Sequence, residues 1–79
     1  MLNELSSGHC VAGAKQVNRA LAGGRAKKLF TAEDADPRIT EPLMKLASEL
    51  GVPAEKVPTM RALGAACGIS VGSAAAAVV

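Results

Sequence analysis

The feature that most restricts the fold of this 79-residue chain is the alternation of short apolar strand patterns with helical patterns. Strands are predicted at residues 9–12, 27–31, 53–57 and 74–79, and helices at residues 13–22, 40–50 and 59–67. This alternation is typical of βαβ units, whose crossover helices cover both faces of a sheet. We therefore predict an α/β fold, a three-layer α/β/α sandwich with a small mixed four-stranded sheet.

Proline placement decides where the second helix is expected to begin. Asp36-Pro37 fits an N-cap followed by the first helical residue, but Pro42 removes a backbone donor shortly afterwards. The regular helix is therefore predicted from Thr40, with Pro42 in its first turn, to Gly51, which ends it. Apolar residues at helical spacing are predicted to face the core: Ile39, Leu43, Leu46, Ala47 and Leu50. A brief helical turn is expected near residues 2–5.

Composition narrows the classes of function. The length indicates a single domain over residues 1–79, too small for a two-lobed enzyme. Phe30 is the only aromatic residue, so modules that stack bases on exposed aromatic rings are disfavoured. Cys10 and Cys67 lack CxxC spacing, and with one histidine in the chain they cannot complete a four-ligand zinc site. We expect isolated reduced thiols, no metal and no cofactor.

Two stretches bear on the compartment. Residues 1–8 carry the acidic Glu4 and no apolar core of a signal peptide, so a cytoplasmic protein is expected. Residues 62–79 carry no charge over 18 positions, which is the length at which a membrane span is considered. Most of them are Ala, Gly and Ser, and Gly68 and Gly72 interrupt the stretch. It is better interpreted as a helix end, a loop and a buried strand.

The first full helix has two different faces. Ala14, Val17 and Leu21 fall on one arc at 100° per residue, whereas Lys15, Gln16 and Arg19 lie on the opposite side. The start of this helix also offers free backbone N–H groups and the positive end of the helix dipole. A phosphate-bearing partner would find donors there, although a solvated amphipathic helix gives the same pattern. The net charge of +2 permits nucleic-acid binding without requiring it.

Three separated segments are expected to meet at one end of the sheet: GAKQVNRAL, AEDADPRIT and LGAACGISVGSAA. Together with the intervening GVP and the final AAAAVV, they resemble the kink-turn RNA-binding family of archaeal and eukaryotic large-subunit ribosomal proteins. The chain is most similar to the short bacterial homologues of that family. The resemblance covers nearly all of residues 11–79 and implies an RNA-binding protein with an α/β/α sandwich.

The resemblance also implies roles for particular residues. The RNA would be a sharply bent helix–bulge–helix with tandem sheared G·A pairs and one flipped-out base. Gly13 would approach the RNA backbone, Lys15 and Gln16 would meet the G·A edges, and Arg19 would contact guanine or phosphate. Asp36 would face the flipped base, next to a loop formed by Ile69, Ser70 and Val71. Most members carry Asn-Glu in place of Lys15-Gln16, and some carry Arg in place of Val71.

The residues themselves are compatible with these roles. Lysine donates to guanine O6 and N7, and glutamine can donate and accept on one purine edge. Aliphatic Ile69 and Val71 can flank a base without an aromatic ring. Lys28 is a further candidate for a phosphate contact, but a solvated strand entrance explains it equally well. Asn18 is expected to be a hydrogen-bonded structural residue.

Other readings account for less of the sequence. Glu33, Asp34 and Asp36 could bind magnesium, but the chain has no GxxxxGK loop and no partner constellation for phosphoryl transfer. The two aspartates are therefore expected to form the turn. We predict that the chain is not an enzyme. It is expected to bind, as a monomer, a kink-turn of ribosomal RNA or of a riboswitch, and to have no membrane partner. The alternative is a protein-interaction or structural module on the same fold.

Overall fold

A computed structural model describes residues 10–67 and 72–79. Within these ranges, strands and helices alternate as predicted. The strands are β1 (Cys10–Ala12), β2 (Lys28–Ala32), β3 (Ala54–Val57) and β4 (Ala75–Val78). The helices are α1 (Ala14–Ala22), α2 (Pro37–Leu50) and α3 (Met60–Ala66). The helical turn predicted near residues 2–5 lies outside the described residues.

The four strands form one mixed sheet in the order β1-β4-β2-β3. Strand β4 runs antiparallel to both β1 and β2, whereas β2 and β3 are parallel. Strands β1, β2 and β3 therefore share one direction, and their C-terminal ends lie at the same edge as the start of β4. We call this end of the strands, where β1, β2 and β3 finish and β4 begins, the upper edge of the sheet. Strand β3 is one of the two edge strands of the sheet.

Helices cover both faces of the sheet. On one face, α1 and α2 pack over β2 and β4 through a cluster that includes Val17, Leu21, Leu29 and Leu43. On the other face, α3 packs through Leu63 in a cluster with Phe30, Val57 and Ala76. Alternate residues of β4 pack into the two clusters, because successive side chains of a strand point to opposite faces. The predicted three-layer α/β/α sandwich is confirmed.

Helix α2 begins three residues earlier than predicted. Asp36 is its N-cap, and its Oδ1 accepts a hydrogen bond from the N–H of Arg38 at 2.9 Å. Pro42 lies inside the helix. It removes the hydrogen bond that the carbonyl oxygen of Arg38 would accept, but both residues are exposed, so water can replace the missing donor. The Asp36 cap and Pro37 outweigh the effect of Pro42.

The predicted apolar stripe of α2 is only partly buried. Leu43 and Ala47 are buried, but Ile39 and Leu50 are 42% and 50% exposed. The helix has 14 residues, a length of about 21 Å at 1.5 Å per residue. Strand β2 has five residues and spans only about 17 Å. The helix is therefore longer than the strand, and the apolar residues of the stripe nearest its two ends, Ile39 and Leu50, are the exposed ones.

The remaining boundaries follow local chemistry. Gly51 adopts a left-handed conformation at φ 72° as the C-cap of α2. Thr59 caps α3, and its Oγ1 accepts a hydrogen bond from the N–H of Ala62 at 3.0 Å. The uncharged C-terminal stretch contributes the end of α3 and the buried strand β4. No helix within the described ranges has the length and hydrophobicity needed to cross a membrane.

Candidate nucleic-acid interface

The start of α1 is joined to the start of β4 at the upper edge. The N–H of Gly13 donates to the carbonyl oxygen of Ala75 at 3.0 Å and to Oγ of Ser73 at 3.3 Å. The Ser73 hydroxyl is itself buried and donates to the carbonyl oxygen of Ala75 at 2.6 Å. These bonds hold the residue that precedes α1 against residues 73–75. They confirm that GAKQVNRAL meets the described part of the third segment.

The acidic turn after β2 reaches the same edge. Ala32 donates its N–H to the carbonyl oxygen of Ala74 at 3.0 Å. Oδ1 of Asp34 accepts the N–H of Met60, the first residue of α3, at 2.7 Å. The N–H of Ser73 in turn donates to the carbonyl oxygen of Met60 at 3.0 Å. The turn, α3 and the start of β4 are thus connected by hydrogen bonds, and the predicted convergence of the three segments is confirmed for the described residues.

Helix α1 presents its polar face outward. Val17, Ala20 and Leu21 are buried, whereas Lys15, Gln16, Asn18 and Arg19 are exposed. Gly13, the N-cap, has φ 97° and provides no side-chain cap. The first N–H groups of α1 are therefore not capped by the side chain that commonly occupies this position, and they remain available to an anion. The two-faced helix predicted from the sequence is confirmed.

Asp36 has a structural partner at the upper edge. Its carboxylate accepts hydrogen bonds from Nε of Arg38 at 3.1 and 3.2 Å and from Nη2 at 2.8 Å. These side-chain hydrogen bonds are the main reason that the pKa of the Asp36 carboxyl lies below its usual value, and the hydrogen bond from the N–H of Arg38 lowers it further. The Arg38 side chain is 90% exposed and still has guanidinium donors directed to solvent. Sequence reasoning missed Arg38, although an arginine in the first turn of a helix opposes the dipole and suggests an acidic partner.

A shallow groove separates α1 from the start of α2. It has a volume of about 320 Å³ and is lined by Ala14, Lys15, Asn18, Arg38, Ile39, Pro42 and Leu43. Asn18 is exposed there, and the described residues provide no hydrogen-bond partner for its side chain. The prediction that Asn18 is a hydrogen-bonded structural residue is therefore wrong. Its amide faces solvent because it lies between the buried arc and the outward face of α1.

The structure does not bring Lys28 to the upper edge. Lys28 pairs with Val78 at the end of β4, whereas Gly13 and Ser73 lie near its start. Its ammonium group forms a 3.3 Å ion pair with Glu55 and lies 5.0 Å from the centre of the Phe30 ring. The loop residues Ile69, Ser70 and Val71 lie outside the described residues. Their assignment as base contacts remains a prediction from the sequence.

The two cysteines are neighbours rather than isolated residues. Cys10 and Cys67 both pack against the cluster that contains Phe30 and Leu63. Burial raises the pKa of the Cys67 thiol, and its hydrogen bond with the Cys10 thiol raises it further. Both cysteines are free thiols. Sequence distance concealed this pair, because β1 and the end of α3 are separated by most of the chain.

Comparison with known proteins assigns the chain to a family. Residues 2–79 match the family described as "Ribosomal protein L7Ae/L30e/S12e/Gadd45 family". The chain belongs to this family. An "RNA-binding protein" of Geobacillus sp. (strain WCH70) is 48% identical over 75 residues, which cover 95% of this chain and 92% of that relative. The "Large ribosomal subunit protein eL8" of Halobacterium salinarum is 44% identical over 68 residues, 85% of this chain and 57% of that relative.

A solved structure has the same fold. The "Giardia lamblia 15.5kD RNA binding protein" superimposes with a TM-score of 0.86 and 29% sequence identity, covering 98% of this chain and 65% of that one. The resemblance found in the sequence is thereby confirmed, both to the large-subunit ribosomal proteins and to short bacterial relatives. The family also supports the prediction that the chain is not an enzyme.

Proposed function

We propose that this protein binds kink-turn RNA, with α1 entering the groove beside tandem sheared G·A pairs. The observation that carries the proposal is the meeting, at the upper edge, of the start of α1 with residues 72–74 and with the first turn of α2, which follows Asp36. Relatives named as RNA-binding proteins support RNA as the class of partner. The proposal that this RNA is a kink-turn rests on the sequence motifs GAKQVNRAL, AEDADPRIT and LGAACGISVGSAA.

The exposed residues of α1 divide between base recognition and phosphate binding. Lys15 and Gln16 lie in the first turn, where the uncapped N–H groups and the helix dipole attract the RNA backbone. We assign them to the edges of the G·A pairs, and Arg19, one turn further on, to guanine or phosphate. Gly13 allows the RNA to approach the backbone at the start of α1, because it has no Cβ and the space beside it is open.

The acidic side of the site has a defined geometry. Asp36 is held by Arg38, and the hydrogen bonds from Arg38 lower the pKa of its carboxyl. Its carboxylate can accept from the N–H groups of an unpaired base that leaves the stack. The proposal assigns this base to the space beside Asp36. It retains the sequence-based assignment of Ile69, Ser70 and Val71 to the same base.

The test compares three RNAs of equal length: a kink-turn, the same RNA with Watson–Crick pairs in place of the G·A pairs, and a straight duplex. We expect the kink-turn to bind most tightly, with affinity falling as salt rises, because bound phosphates release counterions. Equal affinity for the three RNAs would refute kink-turn recognition. It would leave general RNA attraction or an interaction module as the remaining functions.

The variant Gln16→Ala tests whether α1 recognises bases or only attracts RNA electrostatically. The variant should weaken kink-turn binding by roughly 1–3 kcal/mol and reduce the preference for G·A pairs, because the lost amide forms specific hydrogen bonds. Ser48→Ala is the matched control, since Ser48 is a neutral, exposed polar residue near the opposite end of α2. If Gln16→Ala discriminates between the RNAs as well as the wild type does, α1 is only an electrostatic surface.

The proposal also covers the natural target, the assembly state and the compartment. The large-subunit relative suggests ribosomal RNA as one target, and a riboswitch kink-turn would present the same groove. One protein would bind one kink, as a cytoplasmic monomer. Size-exclusion chromatography of the complex with a single kink-turn should therefore show one protein for each RNA.

A further inference from the structure

We propose that the groove between α1 and the start of α2 binds the sugar–phosphate backbone of the RNA strand next to the G·A pairs. In this arrangement one phosphate lies between Lys15 and Arg38, and its ribose packs on Ile39. The inference rests on the proposed function and adds a contact that the sequence motifs do not contain. It makes Arg38 and Ile39 RNA-binding residues.

The charge and lining of the groove favour a phosphate chain as the occupant. Its lining includes two cations, Lys15 and Arg38, and the amide of Asn18, but no carboxylate. The rest of the lining, which we call the apolar floor, consists of Ala14, Ile39, Pro42 and Leu43. A ribose has the mixed polarity to rest on such a floor while its phosphate accepts from the rim. The volume of about 320 Å³ lies at the low end of the 300–1,000 Å³ typical of small-ligand sites.

The groove is continuous with the proposed interface. Lys15 belongs both to the outward face of α1 and to the rim of the groove. Ala14 and Ile39 line the groove and also line a second depression that contains Gly13 and Ser73. An RNA strand that crosses the first turn of α1 would therefore pass directly over Ile39. This accounts for the position of an isoleucine that remains 42% exposed.

Arg38 can bind a phosphate without leaving Asp36. The carboxylate occupies Nε and one hydrogen of Nη2, which leaves the Nη1 group and the second Nη2 hydrogen as donors. Asp36 also fixes the planar guanidinium in place, so less side-chain entropy is lost on binding. Since Asp36 offsets the charge of Arg38, the contact depends on directed hydrogen bonds as well as on attraction.

The first test uses the apolar floor. Ile39→Ser should lower the affinity for a kink-turn RNA several-fold and leave the salt dependence unchanged, because it removes an uncharged contact. Leu50→Ser is the matched control: Leu50 is a similarly exposed apolar residue of α2, at its far end. Circular dichroism should show that both variants are folded. Equal affinities for the two variants would overturn the inference.

The second test isolates Arg38. Removing it also uncovers the charge of Asp36, so Arg38→Ala is introduced into the Asp36→Asn background and compared with Asp36→Asn alone. We expect a further several-fold loss of kink-turn affinity and a salt slope smaller by about 1, as for one lost phosphate contact. Arg25→Ala, a change at an exposed arginine outside the groove, is the control for general attraction.

The outcomes separate the two proposals. If the wild type prefers the kink-turn but Arg38→Ala, introduced into the Asp36→Asn background, has no effect beyond that of Arg25→Ala, the groove contact is refuted and the proposed function stands. If the wild type has no preference for the kink-turn over a straight duplex, the proposed function fails and the inference fails with it. Loss of affinity for Ile39→Ser and Arg38→Ala, but not for their controls, supports the groove contact.

Discussion

Single residues at the upper edge combine structural and binding roles. Asp36 caps α2, holds Arg38 and is assigned to the flipped base, so its substitution affects three properties together. The Asp-Pro pair indicated this cap, but Pro42 led us to predict the helix start at Thr40 instead. The ion pair was missed because it depends on the rotamers of both side chains. Arg38 and Ile39 are therefore the cleaner probes of RNA contact.

The Cys67 thiol gives a pH dependence at the residue scale. Burial and the Cys10 thiol raise its pKa above the ordinary value of 9.0 in the folded state. The unfolded chain, with an ordinary thiol, ionises first as pH rises, so this contribution to stability is complete below pH 9 and decreases above it. We expect the free energy of unfolding to fall more between pH 7 and pH 10 in the wild type than in Cys67→Ala, as measured by urea denaturation. Equal decreases in the two proteins would show that the thiol titrates normally when folded.

At the scale of elements, local signals in the sequence predicted the three described helices and most of their boundaries. Gly51 and Thr59 lie at the expected boundaries because a left-handed C-cap and a hydroxyl N-cap are satisfied within a few residues. The start of α2 was misplaced because two local signals conflicted, Asp36-Pro37 against Pro42. Only the exposure of Arg38 and Pro42 resolves the conflict, and exposure depends on the packing of α2 against the sheet.

The cap of α3 can be tested directly. Oγ1 of Thr59 accepts the N–H of Ala62, so Thr59→Ala should lower the free energy of unfolding by about 1 kcal/mol. Thr59→Ser keeps the hydroxyl and should retain most of the stability. The effect is measured by urea denaturation of the three proteins. If both variants lose the same amount, the methyl group rather than the hydrogen bond stabilises this helix start.

At the scale of the whole molecule, the sheet order was the part least accessible to the sequence. The alternation of elements predicted a mixed four-stranded sheet, but the place of β4 between β1 and β2 depends on pairings across most of the chain. The convergence at the upper edge follows from that order, because β4 must begin where the other strands end. The segments of the site could still be predicted, because loops at one end of an α/β sheet converge, and this expectation does not require the strand order. The hydrogen bond between Asp34 and Met60 and the ion pair between Lys28 and Glu55 could not be predicted, since the residues of each pair are more than 20 positions apart in the sequence.

The alanines of β4 give a prediction for the entire fold. Ala75, Ala76 and Ala77 are fully buried in the middle of the sheet, with helices on both sides. Ala76 belongs to the cluster of Phe30 and Leu63, so the small side chain leaves room for these larger ones. Ala76→Leu should destabilise the protein by roughly 1–3 kcal/mol, because the added carbons must displace close-packed neighbours.

The control for this variant is Ala22→Leu, which adds the same atoms to an exposed position at the end of α1. Its free energy of unfolding should stay within about 0.5 kcal/mol of the wild type. Chemical denaturation of the three proteins decides between the outcomes. A fully stable Ala76→Leu would mean that α3 lies further from the sheet than the cluster of Phe30, Leu63 and Ala76 indicates. Destabilisation confined to Ala76→Leu would show that small residues in the central strand allow helices to pack closely on both faces of so short a chain.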